Sequence, residues 1–96
     1  MTLSEFKESL KQPDAPANVS PLLRALWYDA KGDWHASHNV AQDVNTEDGS
    51  WVHAYLHRKE GDNGNAAYWY HRAKRPVCST SLQEEWESIT LALLTQ

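Results

Sequence analysis

The sequence HRKEGDNGNAAYWYHRAKRP, which spans His57–Pro76, combines a Gly-Asp pair with charges of both signs and three consecutive aromatic residues. Gly61 can adopt the left-handed conformation that ends a helix, and the side chain of Asp62 can accept hydrogen bonds from the amides that begin the next one. Pro76 cannot continue a helix, because it has no amide hydrogen. The stretch therefore predicts one helix that ends at the glycine, a tight corner, and a second helix over about residues 63–74.

A second Gly-Asp corner, Gly32-Asp33, precedes Gly61-Asp62 by 29 residues. A fixed period of this kind indicates repeat architecture, although chance remains an alternative for so few identities. The sequence therefore predicts two helical hairpins, over about residues 21–44 and 47–74. At the same offset Ala25 matches Ala54, Leu22 matches Trp51, Leu23 matches Val52, and Val40 matches Trp69.

Helix-start signals predict the remaining elements. Thr2-Leu3-Ser4-Glu5 and Ser81-Leu82-Gln83-Glu84 both have the form of a capping box, and Ser20-Pro21 places a capping serine before a proline at the first helical position. The predicted helices cover about residues 3–11, 21–31, 34–44, 63–74 and 81–94, with another that starts after Thr46 or Asp48 and ends near Glu60. The predicted fold class is all-α: five or six short helices in one domain over residues 1–96, arranged as antiparallel hairpins in a tetratricopeptide-like or irregular bundle.

The composition excludes several functional classes. The chain of 96 residues carries a net charge of -4, which argues against a nucleic-acid partner, since such proteins need a basic face. No apolar run approaches the roughly 18 residues of a membrane span. Cys78 is the one cysteine, and the first residues lack the pattern of a signal peptide, so we expect a cytoplasmic protein. The sequence leaves open whether the protein is a homo-oligomer.

The histidines are the clearest candidates for chemistry. His53 and His57 are four residues apart and share a helix face, with Glu60 three residues further along the same stripe. If the third helix packs beside the fourth, His38 or His35 can join them. Imidazole and carboxylate groups at this spacing can bind zinc or a related divalent metal. The sequence thus raises a metal hypothesis without predicting any particular cofactor, because no HExxH or paired CxxC motif is present.

Two further interpretations use the same histidines. His38, His53 or His57 could act in acid-base chemistry if Asp29, Asp43 or Glu60 oriented the imidazole, and whether the protein is an enzyme stays open. A guanidinium can bind a carboxylate or phosphate, and tyrosine combines an apolar ring with a polar hydroxyl. A binding groove is therefore the preferred interpretation. The residues predicted to line that groove are His38, His53, His57, Arg58, Glu60, Tyr68 and Arg72.

The aromatic triplet is expected to divide between core and groove, because consecutive helical residues point about 100° apart. Trp69 is the predicted core anchor and Tyr68 the predicted groove residue. A purely structural role for these polar residues is the third alternative.

The stretch WVHAYLHRKEGDNGNAAYWYHRAKRP (Trp51–Pro76), with WHASHNVAQDV before it, resembles a group of small bacterial proteins. Those proteins share HAYLHRKEGD, two residues, NA, one residue, YWY and RA, and longer fungal proteins carry a variant with HRREGD and NAKYWF. The resemblance covers residues 34–76 and implies no activity, cofactor or partner.

A weaker resemblance links residues 66–73 to the second helix of Sel1-type repeats, where an alanine precedes WY and a basic residue. The period of 29 is shorter than in those repeats, and their glycine-rich first helix is missing. This likeness implies helical hairpins and a binding role by analogy of fold. From the sequence we therefore predict a small helical protein that binds a ligand or partner, with a divalent-metal protein or metal-dependent enzyme as the alternative.

Overall fold

Six α-helices form the secondary structure of the computed structural model, which describes residues 1–96, and no β-strand is present. The predicted all-α class is confirmed. None of the helices has the length and apolar character needed to cross a bilayer. The helices are α1 (Leu3–Ser9), α2 (Pro21–Ala30), α3 (Trp34–Gln42), α4 (Glu47–Lys59), α5 (Asn63–Arg72) and α6 (Leu82–Leu94).

The helices begin where side chains can accept hydrogen bonds from free amides. Thr2 and Glu5 form the complete predicted capping box of α1. Thr46 caps α4 by accepting from the amide of Gly49, so Thr46 and not Asp48 begins that helix. Only half of the second predicted box forms, because the Glu84 carboxylate accepts from the Ser81 hydroxyl instead of the Ser81 amide.

Three predicted helices are two residues too long at their C-terminal ends. α1 ends at Ser9, α3 at Gln42 and α5 at Arg72, whereas the sequence predicted ends near residues 11, 44 and 74. In each place the chain continues with an amide bonded three residues back, from Lys11 to Glu8, from Val44 to Ala41 and from Lys74 to His71. This tighter pattern is common in the last turn of a helix.

The two Gly-Asp corners have matching geometry. Gly32 and Gly61 both have a φ of 87°, in the left-handed region that glycine adopts without a steric penalty. The amide of Asp33 bonds the carbonyl of Tyr28 at 2.9 Å, and the corresponding amide of Asp62 bonds that of His57 at 3.0 Å. Buried residues also recur at the offset of 29, as in the pairs Ala25 and Ala54, Ser37 and Ala66, and Ala41 and Tyr70. The repeat and its antiparallel hairpins stay predictions.

α4 lies at the centre of the fold and packs against α2, α3, α5 and α6. Every residue of α4 from Gly49 to His57 is buried, although several are polar. A helix buried on all sides must find partners for its polar side chains within the protein. The burial of α4 therefore explains why His53, His57 and their neighbours form the internal contacts described below.

The core anchor of the aromatic triplet is Tyr70, which is 1% exposed, so the prediction that Trp69 fills this role is wrong. Trp69 is half-buried, and Tyr68 is 52% exposed, as expected for a surface residue. A tyrosine can occupy the core here because its hydroxyl donates to the buried Glu85 carboxylate at 2.7 Å.

Candidate functional site

Three histidines from two helices meet in the fold. Nε2 of His38 on α3 lies 2.9 Å from Nε2 of His53 on α4, and the rings of His53 and His57 stack with centroids 4.7 Å apart. One ring nitrogen from each of the three lies within 4.8 Å of the others, so this group could hold a metal ion. We call His38, His53 and His57 the histidine cluster.

Two tryptophans flank the histidine cluster. Trp34 lies one turn before His38 on α3, stacks on its ring at 4.8 Å, and donates its indole hydrogen to the carbonyl of Leu56 at 2.8 Å. Trp69 of α5 stacks on His53 with ring centroids 4.0 Å apart. These contacts restrict the ring orientations, and they place the cluster between α3, α4 and α5.

Burial favours the neutral forms of His38 and His53. His53 and His57 are each 7% exposed, and His38 is half-buried. Burial, together with the nearby His38 and His57, lowers the pKa of His53 to about 4. Burial also lowers the pKa of His38, and the charge of His57 lowers it further. A neutral imidazole has a free lone pair, which is the form that binds metals.

Glu60 contacts the cluster through His57. Its Oε1 lies 2.7 Å from Nδ1 of His57, across one turn at the C-terminal end of α4. Such a contact fixes a proton on Nδ1 and leaves the other ring nitrogen as an acceptor or metal ligand. Asp62 joins His57 and Glu60 in a second, more exposed group. His35 is exposed and meets Trp34 edge to face, so it does not take part in the histidine cluster.

The carboxylates predicted to orient an imidazole have different surroundings. Glu60 does contact His57, whereas Asp43 is the exposed C-terminal cap of α3. Asp29 is buried on α2, where it accepts hydrogen bonds from Tyr55 at 2.8 Å and Lys59 at 2.9 Å. Of these three side chains, Glu60 is therefore the one with a histidine hydrogen bond.

Arg58 points away from the histidine cluster and toward α6. Its Nη1 lies 2.8 Å from Oε1 of the buried Glu85, and its Nη2 donates to the carbonyl of Thr80. Consecutive helical residues diverge by about 100°, which separates Arg58 from its neighbour His57. The pair His57-Arg58 thus serves two different networks on opposite flanks of α4.

Tyr68 and Arg72 border the cluster through Trp69. Both are exposed on α5, where Nη1 of Arg72 donates to the Tyr68 hydroxyl at 3.1 Å. The guanidinium carbon of Arg72 lies 5.3 Å from the centre of a Trp69 ring, within the range of a cation-π contact. The predicted groove residues therefore do not form one groove. Tyr68 and Arg72 make a surface pair beside the histidine cluster, whereas Arg58 contacts Glu85 of α6.

Sequence reasoning did not find the network around Glu85. Its carboxylate accepts hydrogen bonds from Tyr70 at 2.7 Å, from Arg58 at 2.8 Å and from the Trp51 indole at 3.3 Å. One signal was present in the sequence, because Glu85 precedes Ile89 by four residues and so shares the face of a core residue of α6. Helical spacing alone could have predicted its burial, but not its three partners.

The chain was compared with family models, with curated proteins and with solved structures, and none of the three comparisons gave a match. The likeness to small bacterial proteins and to Sel1-type repeats stays a prediction from the motifs. The class that the structure defines is an all-α protein of six helices with an internal histidine cluster.

Proposed function

We propose that this chain is a small helical protein that binds one divalent transition-metal ion through His38, His53 and His57. The observation that carries the proposal is the meeting of three ring nitrogens within 4.8 Å. Two imidazole ligands on tetrahedral zinc lie roughly 3.3 Å apart, given bonds of about 2.05 Å. The 2.9 Å between His38 and His53 is near this value, and a small outward shift of half-buried His38 would reach it. Imidazole ligands suit zinc, copper, iron and nickel.

Glu60 would orient His57 and would not itself be a ligand. A carboxylate that accepts from one ring nitrogen fixes the tautomer and makes the other nitrogen a better donor to the metal. The 2.7 Å contact between Glu60 and Nδ1 of His57 supports this role. The proposal therefore revises the sequence-based hypothesis, in which Glu60 was one of the ligands.

A three-histidine site leaves a coordination position for water or a bound molecule, as in catalytic zinc sites. The metal-dependent enzyme suggested by the sequence would use this position. We place the protein in the cytoplasm, where its free cysteine, Cys78, would remain reduced.

A second candidate function is the binding of a ligand or protein partner by a groove that includes Tyr68 and Arg72. The exposure of Tyr68 beside Arg72 favours it, because these side chains combine an apolar face with donors for an anion. In this alternative the histidine cluster is a structural network, held by the His38 to His53 hydrogen bond and by stacking on Trp34 and Trp69.

Titration of the chelator-treated protein with Zn²⁺ and Ni²⁺ separates these functions. Calorimetry should give one ion per chain, and the Tm should rise with ion concentration because the ion binds the folded state. His38→Gln should abolish both effects, whereas His35→Gln, on the same helix but outside the cluster, should keep them. Absence of stoichiometric binding, or equal loss in both variants, would contradict the metal proposal and leave the groove as the candidate.

Glu60→Ala tests the orienting role. Loss of a carboxylate behind a histidine ligand usually weakens metal affinity by about 10- to 100-fold. We expect a decrease of this size in the calorimetric Zn²⁺ affinity, with the stoichiometry unchanged. Glu47→Ala is the control, because Glu47 lies at the other end of α4 and pairs with Lys74. Unchanged affinity in Glu60→Ala would show that His57 needs no such partner.

A further inference from the structure

A cavity of about 460 Å³ lies between α1, α2, α4 and α6, and no histidine lines it. Its volume falls in the range of about 300–1,000 Å³ that is usual for small-molecule sites. The lining combines buried and exposed polar groups with apolar side chains. The residues that matter for its chemistry are Lys7, Leu10, Asp29, Tyr55, Lys59 and Trp86.

A buried carboxylate organises one side of the cavity. Asp29 is 3% exposed, and its two oxygens accept from the Tyr55 hydroxyl at 2.8 Å and from Nζ of Lys59 at 2.9 Å. Burial and the charge of Asp29 raise the pKa of Tyr55, so its phenol remains a donor. With both oxygens of Asp29 engaged, the carboxylate holds the Lys59 ammonium at the cavity wall.

Two ammonium groups at the cavity have hydrogens that are not used in hydrogen bonds within the protein. An ammonium has three hydrogens, and Lys59 has one hydrogen-bond partner in the structure, Asp29. Its side chain is 38% exposed and so can meet a bound molecule. Lys7, on the α1 side, is 42% exposed and pairs with Glu87 at 3.0 Å. The free hydrogens of both lysines favour an anion as the ligand.

Three apolar side chains line the rest of the cavity beside Gly32 and the polar Gln83. These are Leu10, Ala30 and Trp86, and the indole hydrogen of Trp86 is already donated to the carbonyl of Leu26 at 3.0 Å. We propose that this cavity binds a small organic acid, with its carboxylate at Lys59 and Lys7 and its apolar body against Trp86 and Leu10. This site is independent of the metal proposed at the histidine cluster.

Benzoate is a suitable probe, and amide chemical shifts in the metal-free protein are the measurement. The Gly32 amide should shift saturably, because Gly32 lines the cavity, whereas the Gly61 amide at the matching corner should not. A dissociation constant of about 1 mM or tighter is expected for so small a ligand. Benzamide, the neutral analogue, should bind at least about tenfold more weakly, because it forms no charge-assisted hydrogen bond.

Lys7→Met removes one positive charge from the cavity and leaves both hydrogen-bond partners of buried Asp29 in place. It should weaken benzoate binding several-fold and leave benzamide binding unchanged. Lys11→Met is the matched control, since Lys11 is exposed, pairs with Glu8 and does not line the cavity. The proposal would be overturned by the absence of a saturable shift at Gly32, by equal binding of benzoate and benzamide, or by equal effects of the two lysine variants. Inorganic phosphate that binds as tightly as benzoate would also overturn it, because the apolar wall would then have no role.

Discussion

His53 illustrates how burial changes the chemistry of a single residue. The side chain is 7% exposed and lies between His38, His57 and Trp69, so a positive charge there has no nearby carboxylate to balance it. Its pKa falls to about 4, from an ordinary value of 6.5. The neutral ring suits both a metal ligand and a hydrogen-bonded core residue.

This lowered pKa predicts a pH dependence of stability in the metal-free protein. Between pH 6.5 and 4 the unfolded chain binds a proton at His53 that the folded chain does not, so the free energy of unfolding must fall as pH falls. We expect a loss on the order of 2 kcal/mol across this window. Urea unfolding at several pH values measures it.

His53→Gln should remove this part of the pH dependence, and exposed His71→Gln should retain it. The wild type and both variants have the same carboxylates, so differences between their pH profiles do not come from carboxylate titration. If the wild type and His53→Gln lost stability in parallel from pH 6.5 to 4, the lowered pKa of His53 would be contradicted.

Glu85 and Arg58 form a buried ion pair at the junction of α4 and α6. Glu85 is 2% exposed and Arg58 retains 18% side-chain exposure, so the carboxylate depends on protein donors. The hydrogen bond and charge of Glu85 raise the pKa of Arg58 against the opposing effect of burial. Arg58 therefore keeps its positive charge in the fold.

Arg58→Ala should lower the free energy of unfolding by about 3 kcal/mol, because it leaves a buried carboxylate without its counter-charge. Arg72→Ala, an exposed arginine on α5, should change stability by less than about 0.5 kcal/mol. Chemical denaturation of the two variants gives the comparison. Equal small effects would show that Tyr70 and Trp51 alone satisfy Glu85.

At the scale of elements, Gly49 shows a steric requirement at the start of α4. A Cβ atom at this position would overlap the carbonyl oxygen of Val44, which precedes the Thr46 cap. Gly64, near the start of α5, has open space where its Cβ would lie. Glycine is thus sterically required at position 49 and not at position 64, although both residues lie in the first turn of a helix.

Gly49→Ala should destabilise the protein by about 2 kcal/mol, since backbone must move to relieve the overlap. Gly64→Ala should instead raise stability by about 0.5 kcal/mol, because alanine has a higher helix propensity. Thermal unfolding followed by circular dichroism would report both changes. Stabilisation by Gly49→Ala would contradict the close approach of Val44.

At the scale of the molecule, α6 joins parts of the chain that are distant in sequence. Its Trp86 indole donates to Leu26 of α2 at 3.0 Å, and its Glu85 binds side chains from α4 and α5. Ile89 is fully buried in the same interface, whereas Leu91, on the other face, is 49% exposed. The packing of the whole domain therefore depends on one face of α6.

Ile89→Ala should lower the free energy of unfolding by about 3 kcal/mol, because it removes buried methylene groups and leaves a cavity. Leu91→Ala, two residues later, should change it by less than about 0.5 kcal/mol. The matched pair is compared by urea denaturation. Similar losses in the two variants would contradict the orientation of α6.

Local signals in the sequence determined the helices of this protein. Caps such as Thr2, Asp33 and Asp62, and the left-handed glycines Gly32 and Gly61, act within a few residues, so their effect can be predicted without the fold. The same locality explains the positions of His53 and His57 on one helix face.

Only the tertiary structure decided which residues meet. The approach of α3 brought His38 within 2.9 Å of His53, and α6 placed Glu85 against Arg58. It also placed Tyr70 in the core position that was predicted for Trp69, because a buried carboxylate gave the Tyr70 hydroxyl a partner there. Such contacts depend on the packing angles of whole helices, and these are set by the sum of many side-chain contacts and not by any local motif.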